Sequence, residues 1–452
     1  MRLRLAGVWA AEKLPHPGRI IAGGFAGAVA IGTGLLSLPV STTGAGRASF
    51  VDALFTATSA VCVTGLVTVD TGSYWSGFGE AVILLLIQAG GLGIMTVASL
   101  IAVLFSQRLR MRVQLVAQTE TKSLTAADLR QLIRRIVVFS LSCEVVAAAV
   151  LTVRFATAYD QSVLASTYQG VFHGVSAFNN AGFGLFADSL MGYAGDPWVS
   201  LVVCLAVIIG GLGFPVVFEL RREWRHPAGW SVLTRITVNV TGILLVLGTL
   251  VILSSESANP ETLGKHDAGG KLLRAFFASV NARTAGFNSI DTSAMRPESL
   301  LATDALMFIG GGSAGTAGGI KVTTFGLLAY VLWSEMRGQS DVEVAHRRVP
   351  GTNQRQALAV ALLAIALVAA GTFAMLSITN FSLDRVLFEV ISAFATVGLS
   401  TGITANLPDA GHLLLIALMF VGRIGPLTLA SALALRERAW LRQLPEERTI
   451  VG

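Results

Sequence analysis

Val61-Cys62-Val63-Thr64-Gly65, Phe178-Asn179-Asn180-Ala181-Gly182, Ala282-Arg283-Thr284-Ala285-Gly286 and Phe394-Ala395-Thr396-Val397-Gly398 are four segments that end alike. Their glycines stand 117, 104 and 112 residues apart, and each segment lies between two long apolar runs. One such glycine carries little information. Four at near-equal spacing imply four copies of one unit, and four copies are able to surround a pore. Four glycines at ordinary helix contacts would not need the matched context.

Outward from these segments, the chain reads as membrane protein. Of its 452 residues 53% are hydrophobic and 13% charged, against about 25% charged in soluble domains. Apolar stretches such as 81–105 and 197–218 are long enough to cross a bilayer. The basic start, Met1 to Arg19, leads into the run 20–40, which is too long for a signal-peptide core and reads as the first membrane helix. Cys62, Cys143 and Cys204 lie in apolar segments without metal-ligand spacing. No HExxH, Walker A or GxSxG motif is present, so the sequence offers no enzyme chemistry.

Each unit reads as a spanning helix, a short outer half-helix, a glycine segment and a closing helix. The first helices fall near 20–40, 133–156, 232–254 and 356–378. The short pieces, near 50–60, 166–177, 272–281 and 384–393, cannot span and suit re-entrant helices. The closing helices fall near 77–105, 196–220, 300–336 and 411–435. A second echo supports the repeat: Gly90-Gly91-Leu92-Gly93, Gly210-Gly211-Leu212-Gly213, Gly310-Gly311-Gly312 and Gly422-Arg423-Ile424-Gly425 occupy matching places. The expected organisation is an all-α polytopic protein of four pseudo-symmetric helix–pore loop–helix units around a central ion pathway. Its repeats are 20–105, 133–220, 232–336 and 356–435, joined by inner loops 106–132, 221–231 and 337–355, with an inner N-terminus 1–19 and tail 436–452.

Basic residues set the orientation. With the N-terminus inside and two crossings per unit, 23 of the 33 Lys and Arg fall inside and 8 outside, while Lys321 and Arg423 fall within the membrane. The positive-inside rule therefore places both termini in the cytoplasm. It also accounts for the net charge of +6, which does not point to nucleic acid. The outer segments carry 15 acidic residues, and a negative outer surface concentrates cations, although simple solvation of loops explains much of it.

A selectivity filter strips water from a cation and replaces it with oxygens, and ringed backbone carbonyls do this in tetrameric potassium channels. Glycine lets such a backbone adopt positive φ beside the ion. No Asp or Glu occurs in the four segments, which argues for main-chain rather than carboxylate coordination. The expected filter is Cys62, Val63, Thr64 and Gly65; Asn179, Asn180, Ala181 and Gly182; Arg283, Thr284, Ala285 and Gly286; and Ala395, Thr396, Val397 and Gly398. Below it, Gly310-Gly311-Gly312-Ser313-Ala314-Gly315-Thr316-Ala317-Gly318-Gly319 interrupts the third closing helix, followed by Lys321. Each glycine costs a helix about 1 kcal/mol relative to alanine, so this stretch is expected to be a loop lining the pathway, a flexible gate or a passive kink. Arg423 lies in an apolar helix and must face the interior. It forms a barrier to cations, pins the loop through its carbonyls, or pairs with an acid such as Glu144. Lys321 is expected to snorkel towards the cytoplasm. Asp70, Asp291 and Glu389 flank the filter segments, and Glu389, on an apolar short helix, calls for a fixed partner, Arg283 or Arg385.

The motifs AVCVTGL (60–66), SAFNNAGFGLF (176–186), SVNARTAGFNSID (279–291) and ISAFATVGLSTGI (391–403) resemble those of the Trk/Ktr/HKT superfamily of cation transporters, over nearly the whole chain. The short leader before the first unit is similar to the Ktr-type potassium uptake membrane subunit rather than the Trk type. The resemblance implies potassium as the ion: a serine in the first filter position goes with sodium transport in the plant branch, and here all four positions are glycine. It implies that the segment 310–319 is an intramembrane gating loop with Arg423 projecting beside it. It also implies a homodimer in a bacterial inner membrane, regulated by a cytosolic ring of nucleotide-binding RCK subunits, so that nucleotide acts only through the partner. Sodium is the second candidate cation. The basic loop with Arg108, Arg110 and Arg112 is a docking surface for that ring or a topology determinant. A sodium- or proton-coupled carrier with alternating access is the main rival, although such folds usually use two inverted repeats. A non-conducting receptor would not need four glycine segments.

Overall fold

The computed structural model describes residues 17–44, 46–114, 126–339, 341–344 and 347–435. The expectations for most of the N-terminus and for the tail 436–452 lie outside these residues. The described chain is α-helical apart from one two-residue hairpin, β1 (Glu343–Val344) with β2 (Arg347–Arg348), in the segment read as the loop 337–355.

The helices follow in four runs. The first holds α1 (Pro17–Leu36), α2 (Phe50–Cys62) and α3 (Gly77–Gln114). The second holds α4 (Ala126–Ala158), α5 (Val163–Phe178), α6 (Pro197–Leu212) and α7 (Phe214–Glu223). The third holds α8 (Val232–Glu256), α9 (Ala268–Asn281), α10 (Pro297–Phe308) and α11 (Val322–Met336). The fourth holds α12 (Gly351–Ile378), α13 (Leu383–Ala395) and α14 (Asp409–Leu435). Among the described residues, Gly77–Val97, Arg130–Ala158, Val232–Glu256 and Gly351–Ile378 are long and apolar enough to cross a membrane, and the bent pair α6–α7 makes a fifth. The protein is an all-α polytopic membrane protein.

Two boundaries differ from the sequence argument. The loop expected over 106–132 is helical at both ends, because α3 runs on to Gln114 and α4 starts at Ala126. Arg108, Arg110 and Arg112 thus lie in the continuation of α3. The second closing helix, expected as one piece over 196–220, breaks at Gly213 (φ 90°) and turns by 101°. The physical reason is Pro215, which has no N–H and whose ring clashes with the carbonyl four residues back.

Three of the four short helices, α2, α5 and α9, are capped at their start, while Ser382 before α13 makes no side-chain cap bond. Ser49, Ser162 and Asp267 each accept a backbone N–H of the first turn, from Asp52, Ala165 and Gly269, an arrangement worth about 1 kcal/mol per helix. The last turns of α2 and α13 are fully buried, and that of α5 is buried apart from half-buried Val175. Packing then runs round in a cycle: α3 against α5, α6 against α9, α10 against α13 and α14 against α2.

Candidate functional site

The cycle of helices carries the four glycine segments into contact. A Cβ added at Gly65 would stand 2.4 Å from the Ala181 carbonyl oxygen and 3.0 Å from Gly182 Cα. One at Gly182 would stand 2.8 Å from the Ala285 oxygen and 2.9 Å from Gly286 Cα. One at Gly286 would stand 2.5 Å from the Val397 oxygen, and one at Gly398 2.1 Å from the Thr64 oxygen. Each glycine meets the next segment, and the last meets the first. The four segments close into a ring with no room for a side chain.

The backbone of the ring repeats as well. Gly65, Gly182, Gly286 and Gly398 have φ of 92°, 68°, 77° and 96°. Two residues earlier, Val63, Asn180, Thr284 and Thr396 are also left-handed, with φ of 56°, 58°, 69° and 51°. The residue between keeps negative φ in each segment. For Val and Thr the left-handed conformation is strained, by about 1–3 kcal/mol each. The strain is held by hydrogen bonds from the end of the preceding helix. Thr64, Ala181 and Val397 donate N–H to the carbonyls of Ser59, Ser176 and Ser392, each at 2.8 Å. The Ser59 and Ser392 hydroxyls accept the N–H of Gly65 and Gly398, both at 3.1 Å. The third segment departs: Ala285 donates to Asn281 instead, at 3.0 Å.

Four helix C-termini therefore end at one ring. Each carries roughly half a negative charge in unpaired carbonyls. Four negative helix ends thus meet at one ring that holds no carboxylate of its own. Beside the ring an opening of about 310 Å³ is lined by all four glycines together with Asp70 and Asp291. Both carboxylates have local partners, since Asp70 accepts from Ser73 N–H and Asp291 from Ser293 N–H, at 2.9 Å each.

Between α10 and α11 the glycine-rich stretch is not helical but runs as a loop that folds back on itself. Ile309 and Ile320 form a parallel bridge, with Gly310 N–H donating to the Ile320 oxygen at 2.9 Å. The loop also docks on the broken end of α6. Gly312 N–H donates to the Gly211 oxygen at 2.7 Å and Thr316 N–H to the Gly210 oxygen at 3.1 Å. In an unbroken helix those carbonyls would receive residues 215 and 214, so the Pro215 break exposes two acceptors and the loop takes them. The Thr316 hydroxyl donates to Asn180 Oδ1 at 2.8 Å, which ties the loop to the second glycine segment. Gly318 fits against the Ala395 oxygen and the Thr396 side chain of the fourth.

Several side chains sit elsewhere than the sequence argument places them. Arg423 is 4% exposed and donates to the Thr316 oxygen; it does not pair with Glu144. Glu144 instead receives Gln88 Nε2, at 3.0 and 3.1 Å, and Asn179 Nδ2 at 3.1 Å. Lys321 does not snorkel away but folds back onto the Ala317 oxygen. Glu389 pairs with neither Arg283 nor Arg385; it accepts the Ser400 hydroxyl at 2.9 Å and the Thr404 hydroxyl. Arg283 points away from the ring to the loop, where it donates to the Gly310 oxygen at 3.0 Å. Short hydroxyl side chains outcompete the arginines for Glu389 because they reach it from the loop that immediately follows its own helix.

The cation transport protein family TrkH matches residues 33–440. The Ktr system potassium uptake protein B of Vibrio alginolyticus is 40% identical over 438 residues, covering 96% of this chain and 94% of that protein. The protein of the same description from Bacillus subtilis (strain 168) is 39% identical over 436 residues, covering 96% and 97%. The crystal structure of the potassium transporter TrkH from Vibrio parahaemolyticus superposes with a TM-score of 0.67 at 19% identity, over 93% of this chain and 86% of that one. That likeness is one of fold.

Proposed function

The chain belongs to the TrkH family of cation transport proteins, and we propose that it passes potassium inward across a bacterial cell membrane through the ring of four glycine segments. It is a transporter and not an enzyme. The observation that carries the potassium reading is the ring itself, with four glycines in mutual contact and the same alternating backbone in every segment. Main-chain oxygens at such a ring replace the hydration shell of a cation. The two relatives with the highest identity given above are described as potassium uptake proteins, which agrees. In this reading the runs α1–α3, α4–α7, α8–α11 and α12–α14 are four pseudo-symmetric units around one pathway. The filter is built from the carbonyls of residues 62–65, 179–182, 283–286 and 395–398. Both termini face the cytoplasm.

The loop from Gly310 to Gly319, with Lys321 and Arg423 on its carbonyls, is the gate below that filter. Positive charge beside the pathway opposes a cation, and the bonds to Gly210 and Gly211 hold the loop in the closed position. The regulator that opens it is a cytosolic nucleotide-binding ring of the RCK type, acting on a homodimer of this chain. Rubidium uptake into proteoliposomes under an inside-negative potential tests the function. The expected result is uptake that potassium competes away and sodium does not, and that rises when the partner is added. Absence of flux with the partner present would refute it.

A further inference from the structure

Arg283 stands three residues before the third ring glycine, where the other segments have Cys62, Asn179 and Ala395. It is 7% exposed and makes no ion pair among the described residues. Its Nη2 donates to the Gly310 oxygen at 3.0 Å and lies 3.4 Å from the Thr241 hydroxyl on α8. Gly310 is the first glycine of the loop, and its N–H closes the bridge to Ile320. A cavity of about 20 Å³ beside this contact is lined by Arg283, Asn180, Thr241 and Gly311. It therefore touches the second segment, the third segment and the loop at once, and it has room for about one water. Arg283 Nε and Asn180 Nδ2 have no other partner there.

We propose that the Arg283 side chain is a positioning element of the gate: a strut from the third glycine segment that holds the start of the loop closed. A buried guanidinium without a carboxylate is costly unless its donors are used. The Gly310 carbonyl is the acceptor that meets this need while the loop is closed. Opening the loop breaks that bond, so closure and the burial of Arg283 are linked. With Arg423 on Thr316 and Lys321 on Ala317, three cationic side chains occupy three loop carbonyls. Arg283 alone among them belongs to a filter segment, so it couples the ring to the gate. The third segment's departure from the hydrogen-bond pattern of the other three accompanies this second task.

The inference rests on reading the loop as a gate, and its test separates the two. Rubidium flux and the rubidium-to-sodium flux ratio are measured for Arg283→Ala, Arg283→Gln, Arg283→Lys and Arg423→Ala, with and without the regulatory partner. Arg283→Ala and Arg283→Gln are expected to raise partner-free flux about tenfold, the size of effect for losing one charge-assisted hydrogen bond. Arg283→Lys restores part of the closure, and the flux ratio stays at the parent value. A lowered ratio with unchanged partner-free flux would make the Arg283 side chain part of the filter and overturn the inference. Flux and ratio both unchanged would make it space-filling and overturn it as well. If Arg423→Ala also leaves partner-free flux at the parent level, the gate reading itself fails. If Arg283→Ala does not accumulate, amide hydrogen exchange of Arg283→Lys decides: faster exchange over 309–322 supports the strut, and unchanged exchange there overturns it.

Discussion

Gly90-Gly91-Leu92-Gly93 and Gly210-Gly211-Leu212-Gly213 are the same four residues with different outcomes. The first lies inside the unbroken α3; the second ends α6, and the chain turns by 101° into α7. Both use their first glycine alike. A Cβ on Gly90 would fall 2.0 Å from the Val61 oxygen, and one on Gly210 2.0 Å from the Phe178 oxygen. In each unit the tetrapeptide lets the closing helix press against the last carbonyls of the short helix. The difference lies just beyond, where Ile94-Met95 continues the first and Phe214-Pro215 follows the second. One proline turns a packing motif into a docking platform, because its missing N–H and the break it forces release the Gly210 and Gly211 carbonyls to the loop. Glycine alone permits a break in a membrane helix; the neighbouring residues decide whether it happens.

The largest effect is expected when the first copy is made like the second. Met95→Pro should interrupt α3 at a cost of about 3 kcal/mol or more. No platform is wanted there, so the expected result is loss of most folded protein, read as yield of monodisperse material after extraction. Next in size, Gly90→Ala and Gly210→Ala each force a Cβ into backbone and should cost about 1–3 kcal/mol. Their thermal-unfolding shifts should match one another, since the contact is the same in both units. Removing the proline runs the comparison the other way. Pro215→Ala should straighten the α6–α7 junction in part and return the Gly210 and Gly211 carbonyls to helix partners. The loop would then lose up to two hydrogen bonds, and at about 1 kcal/mol per bond partner-free rubidium flux should rise by up to about thirtyfold. Thr316→Val removes the hydroxyl's bond to Asn180 and its long contact with the Phe178 oxygen, and should raise that flux least, by about fivefold or less. A larger effect for Thr316→Val than for Pro215→Ala would show that the tie to the second segment, not the platform, holds the loop.

Much of this was legible in the residues. Four glycines in matched apolar context disclose the short helices and the ring, and six glycines between Gly310 and Gly319 disclose the loop. Pro215 signals the broken α6, yet the apolar run 197–218 is continuous and reads as one span until the proline is given its weight. Other features leave no local trace. Val63, Thr284 and Thr396 prefer extended backbone, so nothing in their type suggests the left-handed conformation that ring closure imposes. The Arg283 acceptor lies 27 residues further on, and only the packing of α8, α9 and the loop brings it near. The hydroxyls that bind Glu389 likewise come from the turn after the fourth glycine, and short polar residues there look like ordinary loop.

On the proposed function, the four ring glycines are equivalent parts of one filter. The direct measurement replaces Gly65, Gly182, Gly286 and Gly398 by serine, one at a time, and follows the rubidium-to-sodium flux ratio in proteoliposomes with the partner present. Each added Cβ meets backbone of the next segment within 3 Å, so the account predicts that every one of the four lowers the ratio. A substitution at any of these positions that reaches the membrane, conducts, and leaves the ratio at its parent value would contradict it.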